Sequence, residues 1–528
     1  MKQWPRAGRS MPMSLNGMVV SSQPLASQAG LEVLKRGGNA IDATVAMAAV
    51  LNVVEPMSTG IGGDAFVIIY LAKSREIKAL NASGRAPYAA TPDYFREKGI
   101  ASIPDTGMLP VTVPGALDGW ATLAERYGTM SLKALLQPAI SYAEEGFPVA
   151  EKTALDWAKA QKKLRAHPNS ASQYLIDKRA PKPGEVFRQK NLAASLGKIA
   201  AGGKEVFYGG GLAEEIVKFS DANGGLLSLK DFKEHRSTWV EPIRASYRGY
   251  DVVEMPPNTQ GMTVLQMLNM LELFDVAALG YNTAAYLHAF VEVKKLAFAD
   301  RNRYLADPER APAPVDRLIS KSYAAERVKL IDRERAGDYS PGLGVISGDT
   351  QVFCAVDKDG NAVSFINSLF EGFGCGLVGG NTGIMLQNRG KVFSLDPSHP
   401  NCVAPHKRSS HTIMPAMVFK DGRPFLIFGV TGAHMQPQGQ VQMLANLIDF
   451  RMTLQQALDA PRVNHLEGLE VALEAGISAA ARRELKQRGH KVVKATNFGG
   501  GQAIMIHPEY GTLIGGADPR KDGCAMGY

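Results

Sequence analysis

The chain has 528 residues, 45% of them hydrophobic and 21% charged, with a formal net charge of +8. These values are ordinary for a globular protein with a sizeable core, and the length suits two to four domains or one large α/β body. There is no dense Lys/Arg run with interleaved aromatics, which argues against a nucleic-acid partner, and no window of about 18 apolar residues to suggest a membrane span. The N-terminal MKQWPRAGRSMPMSLNG lacks an apolar signal core. Cys354, Cys375, Cys402 and Cys524 are scattered without metal-type spacing and read as reduced thiols. A cytoplasmic location is therefore expected.

In chain order, residues 23–55 carry two helical patterns around a Gly37-Gly38 break. The second is Ala-rich enough to be buried all round. TGIGGDAFVIIYLA is a glycine turn running into an apolar strand. It precedes a strand instead of following one into a helix, so it fails the context test for a phosphate loop. IKALNASGRAPYAA is a further strand ending in a Gly-Arg loop. From Gly115 to about Phe232 the patterns are mainly helical. YRGYDVVEMPPNTQG then gives a strand and loop, with Asn258 and Thr259 in the loop, and MTVLQMLNMLELF a helix. Residues 306–349 are rich in Pro, Gly and charge and read as exposed linker. Beyond them strands dominate: VFCAV, NAVSFI, GIMLQN, TIMPAMVF, RPFLIFG, LEVALE, AIMIH and TLIGGAD, interrupted by the helix VQMLANLIDFRM. Helix pairs and antiparallel hairpins together predict a layered α/β fold with paired sheets between helices.

The hairpin at 349–368 opens with Thr350. A Thr hydroxyl is a weak nucleophile unless a base lies beside it, and cleavage of the preceding peptide bond supplies one, the new α-amine. That arrangement needs a linker, then the Thr, then a strand, which is the order Asp349-Thr350-Gln351-Val352-Phe353 provides.

The segments GDTQVFCAVDKDGNAVSF, GFGCGLVGGNTGIMLQNRG, APHKRSSHTIMPAMVFKDGRP and GGADPRKDGCAMGY, with GGNAIDATVAMAAVLNVVEP, TGIGGDAF and VTVPGALDGW upstream, resemble the γ-glutamyltranspeptidase family of N-terminal-nucleophile hydrolases. The resemblance covers nearly the whole chain in the family's order. It implies a four-layer αββα sandwich and self-cleavage between Asp349 and Thr350. The products would be a large fragment, 1–349, and a small one, 350–528, intertwined in one catalytic domain. They are expected to stay associated, and a dimer of such heterodimers is left open. By the same resemblance Thr350 is the nucleophile and Ser368 the second hydroxyl beside it. The backbone amides of Gly432 and Ala433 form the oxyanion hole, with Ala433 where the family has a second glycine. No cofactor or metal is implied.

The departures from the family pattern bear on substrate. Where the family has N-N-E-M-D-D-F, this chain has Gln387-Asn388-Arg389-Gly390-Lys391-Val392-Phe393. The family's Asn after the second hydroxyl is Phe370, its serine pair is His411-Thr412, and its carboxylate-binding Arg is represented by Arg85, shifted by two positions. A pocket without acids has no partner for an α-ammonium group, whereas arginine suits a carboxylate. Arg85, Phe370, Asn388, Arg389, His411, Thr412 and His434 are the expected substrate-binding residues. The expected substrate is a small anionic amide lacking an α-amine, with oxamate, an amide of purine (allantoin) degradation, as the specific expectation. The alternatives are a γ-glutamyl hydrolase or transpeptidase on glutathione, a glutaryl-cephalosporin-type acylase, and an uncleaved binding protein.

Overall fold

Alternation along the central hairpin sets the architecture. In the strand Asp349–Val356, Val352, Cys354 and Val356 join one buried cluster while Phe353 and Ala355 join another. Its partner, Ala362–Phe370, divides the same way, with Ile366 on the first side and Val363 and Phe365 on the second. Apolar residues on both faces of a strand mean a sheet covered on both faces. The Asp357–Gly360 turn joins the two strands, and the Asp357 carboxylate accepts the N–H groups of Asp359 and Asn361.

The computed structural model describes residues 9–339 and 349–528. The hairpin lies in a seven-stranded antiparallel sheet in the order Cys524–Gly527, Met18–Ser21, Asp349–Val356, Ala362–Phe370, Asp64–Leu71, Glu76–Ala82, Thr238–Val240. A second seven-stranded antiparallel sheet runs Met13–Ser14, Leu513–Ala517, Gly501–Ile506, Arg423–Val430, Ala416–Lys420, Tyr250–Glu254, Ile243–Tyr247. Val20, Phe66, Val352 and Ile366 of the first meet Val253, Met417, Ile427 and Ile504 of the second in one apolar layer. Helices Pro24–Lys35, Ala40–Val54, Ala116–Tyr127 and Leu132–Glu145 cover the outer face of the first sheet. Gly261–Leu271, Ala284–Tyr304 and Met435–Ile448 cover the second. The result is the expected αββα sandwich. Strands from before and after residue 349 are interleaved in both sheets.

Every residue of Ala40–Val54 is buried, as its composition predicts, and a capping box between Asn39 and Asp42 fixes its start. Three readings of the sequence need correction. Within the expected linker, Val315–Leu318 and Lys321–Val328 are short helices; residues 340–348 lie outside the described residues. GIMLQN forms no strand: one bridge, Val378 to Met385, is all the pairing there. The C-terminal half holds two further helices, Leu454–Asp459 and Ala479–Gln487. Among the described residues no helix is long and apolar enough to cross a membrane.

Candidate active site

Thr350 has the parity of Val352 and Ser368 that of Ile366, so both hydroxyls enter the layer between the sheets at one end of the hairpin. Their oxygens are 3.1 Å apart and buried. The Phe370 N–H donates to Ser368 Oγ at 2.9 Å, and Phe370 takes φ +81°, an unusual conformation for a bulky residue. That turn directs the chain out of the strand.

The second sheet supplies the facing loop. Ser364 Oγ donates to the Phe428 carbonyl at 2.8 Å. At Gly429, a Cβ would lie 2.5 Å from Val352 Cγ2. The bare glycine lets the sheets close on each other there, and the strand Arg423–Val430 runs on toward the end that carries Thr350 and Ser368. It turns through Gly432 and Ala433, at φ +108° and +53°, into the helix Met435–Ile448. Among the described residues neither the Gly432 nor the Ala433 N–H donates a hydrogen bond. Two free amides just ahead of a helix N-terminus make a place where negative charge is stabilised.

Asp64, the first residue of the strand after TGIGGD, pairs with Ser368 across the sheet and organises the next layer of contacts. Its carboxylate accepts the Gly84 N–H at 2.8 Å, Gln387 Nε2 at 2.9 Å and His411 Nε2 at 3.1 Å. Burial works against its charge, but the His411 contacts, with Arg389 and Gly84, hold its pKa below the ordinary value. His411 Nδ1 accepts the Ile413 N–H, so Nε2 carries the proton toward Asp64. Burial and the charge of Arg389 push the His411 pKa down to about 4, leaving it neutral.

Arg389 is fully buried, its guanidinium 4.0 Å from the centre of the Phe370 ring and Nη1 donating to Thr412 Oγ1 at 3.0 Å. Its Nε and Nη2 have no partner among the described residues. Thr412 and His411 also line a cavity of about 380 Å³ whose other walls include Gln260, Arg301, Lys391, His399 and His434. The lining holds two cationic side chains and three histidines and no carboxylate.

The remaining expected residues fall as follows. Asn388 bridges the Glu371 carboxylate and the Asp105 carbonyl, each at 2.9 Å. His434 lines the cavity. Arg85 is not among the cavity walls; its guanidinium meets Glu309 at 3.0 Å and Asp307 at 3.7 Å. Asn258 donates to the Ser409 carbonyl and accepts from Asn81, tying the loop across the sheets. Sequence reasoning missed Asp64, Gln260 and Arg301. Asp64 was visible only as the last letter of a glycine turn, and Arg301 lies in the helix Ala284–Tyr304, which the sequence reading passed over. It also missed a buried cluster, His288, Glu292 and His490, whose ligand atoms lie within 4.8 Å of one another. The Lys295 ammonium, 2.7 Å from Glu292, supplies a positive charge there.

The model of the gamma-glutamyltranspeptidase family matches residues 26–528. The chain belongs to that family. Within it, the chain is 42% identical over 521 residues to the glutathione hydrolase-like YwrD proenzyme of Bacillus subtilis (strain 168), covering 97% of this chain and 98% of the relative. It is 35% identical over 535 residues to the oxamate amidohydrolase proenzyme of Klebsiella pneumoniae subsp. pneumoniae, covering 98% and 100%. The crystal structure of a cephalosporin acylase from Bacillus halodurans, 42% identical, superposes with a TM-score of 0.93 over 100% of this chain and 99% of the other. The sandwich is thus the γ-glutamyltranspeptidase version of the N-terminal-nucleophile hydrolase fold.

Proposed function

We propose that this γ-glutamyltranspeptidase-family chain cuts itself between Asp349 and Thr350. It then hydrolyses the amide of an acyl donor that carries a carboxylate and lacks an α-amine. In the first stage Thr350 Oγ1 attacks the Asp349 carbonyl carbon. The peptide C–N bond breaks, an ester replaces it, and water cleaves the ester to leave the Asp349 carboxylate and a free Thr350 α-amine. In the second stage that amine takes the hydroxyl proton as Oγ1 attacks the substrate carbonyl. The Gly432 and Ala433 amides stabilise the oxyanion, the leaving amine takes a proton, and water hydrolyses the acyl-enzyme. Ser368, 3.1 Å from the nucleophile, fixes the rotamer of Thr350.

The observation that carries the substrate class is the lining of the cavity beside Thr412, with its cations and histidines and no carboxylate. A γ-glutamyl donor brings an ammonium group that would be buried there unpaired. Oxamate, which would give oxalate and ammonia, is the shortest donor of the proposed class. A cavity of about 380 Å³ has room for longer ones, and we put a dicarboxylic monoamide of the glutaryl kind first. The similarity to a cephalosporin acylase supports that order.

The test is intact mass of the wild type beside Thr350→Ala, then amine or ammonia release from glutaryl amides, oxamate, glutamine and glutathione. Cleavage before residue 350 in the wild type alone, with turnover of the donors that lack an α-amine, is the expected result. A wild type that stays one chain, or prefers glutathione, overturns the reading.

A further inference from the structure

The helix Ala284–Tyr304 delivers one of the cavity's two cations, Arg301, and its environment is unusual. Arg301 is 4% exposed and lines the cavity. Nη1 donates to His434 Nδ1 at 2.7 Å and to Gln260 Oε1 at 3.2 Å. Nε and Nη2 donate to Asn302 Oδ1 at 3.0 and 2.6 Å. A guanidinium has five N–H groups, so these four bonds leave one on Nη2. All the acceptors are neutral, and among the described residues no carboxylate pairs with Arg301. The ring of Phe298 lies 4.1 Å from the guanidinium, a contact that favours its charge without neutralising it.

His434 completes the arrangement. Because its Nδ1 accepts from Arg301, its proton sits on Nε2. That N–H is buried and has no partner among the described residues. A buried cation without a counter-charge and a buried donor without an acceptor, side by side in the wall of one cavity, are two unmet demands that one carboxylate would satisfy. Arg389 also has an Nε and Nη2 unpartnered among the described residues, but it is not among the cavity walls, and the Asp64 carboxylate already offsets its charge.

We propose that Arg301 and His434 form the subsite for the distal carboxylate of the acyl donor, with Arg301 supplying the charge and His434 Nε2 a second hydrogen bond. The proposal rests on the reading that the donor carries a carboxylate, and it assigns that group to this pair and not to Arg85 or Arg389. It also links recognition to chemistry. His434 adjoins the oxyanion residue Ala433, and Gln260, bonded to Arg301, donates to the Ala433 carbonyl at 3.0 Å and the Thr412 carbonyl at 2.7 Å.

The experiment compares kcat and KM for two chromogenic donors of equal length, glutaryl p-nitroanilide and the uncharged pentanoyl p-nitroanilide. The enzymes are self-cleaved wild type, Arg301→Gln, Arg301→Lys, His434→Gln, Arg389→Gln and Arg85→Gln, with cleavage verified by intact mass. The expected result is that Arg301→Gln lowers the glutaryl-over-pentanoyl ratio of kcat/KM by about 10- to 100-fold, mainly through KM. Arg301→Lys recovers part of it and His434→Gln loses less. If both donors slow equally in Arg301→Gln, the residue only braces the oxyanion loop and the proposal falls. If Arg389→Gln or Arg85→Gln, and not Arg301→Gln, abolishes the ratio, the carboxylate lies elsewhere and the proposal falls while the donor class stands. If the wild type shows no preference for glutaryl, the donor class itself is wrong. Should Arg301→Gln not fold, Arg301→Lys and His434→Gln carry the test, and an unchanged ratio in both overturns the assignment.

Discussion

Replacing Ser368 by Ala removes the oxygen that faces Thr350 Oγ1 at 3.1 Å and that accepts the Phe370 N–H at 2.9 Å. The two losses separate. In a Thr350→Ala background, where the Thr350 hydroxyl is already gone, the added Ser368→Ala change no longer includes that contact and still takes the acceptor from the Phe370 N–H. That donor is buried at a left-handed residue, and leaving it unsatisfied costs about 1–3 kcal/mol. The midpoint of urea unfolding should fall accordingly. In the active enzyme the same substitution frees the Thr350 rotamer. We expect kcat to drop about 10- to 100-fold, equivalent to about 1.4–2.7 kcal/mol of transition-state stabilisation, with KM little changed. Ser368→Thr, which keeps the hydroxyl, should recover most of the rate. If Ser368→Ala turns over within twofold of wild type and unfolds at the same urea concentration in the paired background, neither hydrogen bond carries the role assigned to it.

Gly432→Ala places a Cβ 2.8 Å from Asn497 Oδ1 and 3.1 Å from Gly499 Cα at φ +108°, so the oxyanion loop must shift. A fall in kcat of about 100-fold is expected, and a rate near wild type in a stopped-flow acylation assay would remove Gly432 from the oxyanion role. Asp64→Asn leaves Arg389 without the nearest compensating charge and should destabilise the fold by about 3–5 kcal/mol, read as an earlier urea transition; a transition that does not move would show that the Asp64 charge is dispensable. Burial holds His235 and His411 at about 4 and His490 at about 3, so all three are neutral when folded. Unfolded histidines protonate near pH 6.5. The unfolded state therefore binds more protons below that pH, and stability, complete above it, should fall by about 1.4 kcal/mol per pH unit for each histidine between 6.5 and 4. Urea midpoints that stay level from pH 7.5 to 5 would contradict this.

The fold was legible where the pattern is local. The all-round apolar run of Ala40–Val54 and the alternation of the 349–370 hairpin follow from residue spacing alone, and parity then brings Thr350 and Ser368 to one face. The pattern misled where burial is set by distant partners. Ile384, Met385 and Leu386 of GIMLQN are buried against the helical layer as loop, because two of the glycines ahead of them, Gly380 and Gly383, take positive φ. In 315–328, charged residues concealed two short helices, the second of which, Lys321–Val328, Ser320 caps. The candidate site shows the same division. Motif order pointed to the candidate nucleophile Thr350, the Gly432 and Ala433 amides and the His411-Thr412 loop. But Asp64 meets His411 across 347 positions and Arg301 meets His434 across 133, and no local pattern encodes such pairings.

The interleaving of the sheets changes what it means for this protein to unfold. In the uncut chain, Met18–Ser21 and Asp64–Leu71 find their places beside Asp349–Val356 and Ala362–Phe370 as one molecule folding on itself. If the bond before Thr350 is cut as proposed, the same sheets are shared by two polypeptides. Denaturation then ends in two separate chains, and recovery becomes a second-order encounter that slows with dilution. The intact precursor is the form that folds by a unimolecular route. A chain cut there would inherit that fold and persist for as long as the barrier to opening it holds, so its durability would be a matter of rate more than of equilibrium.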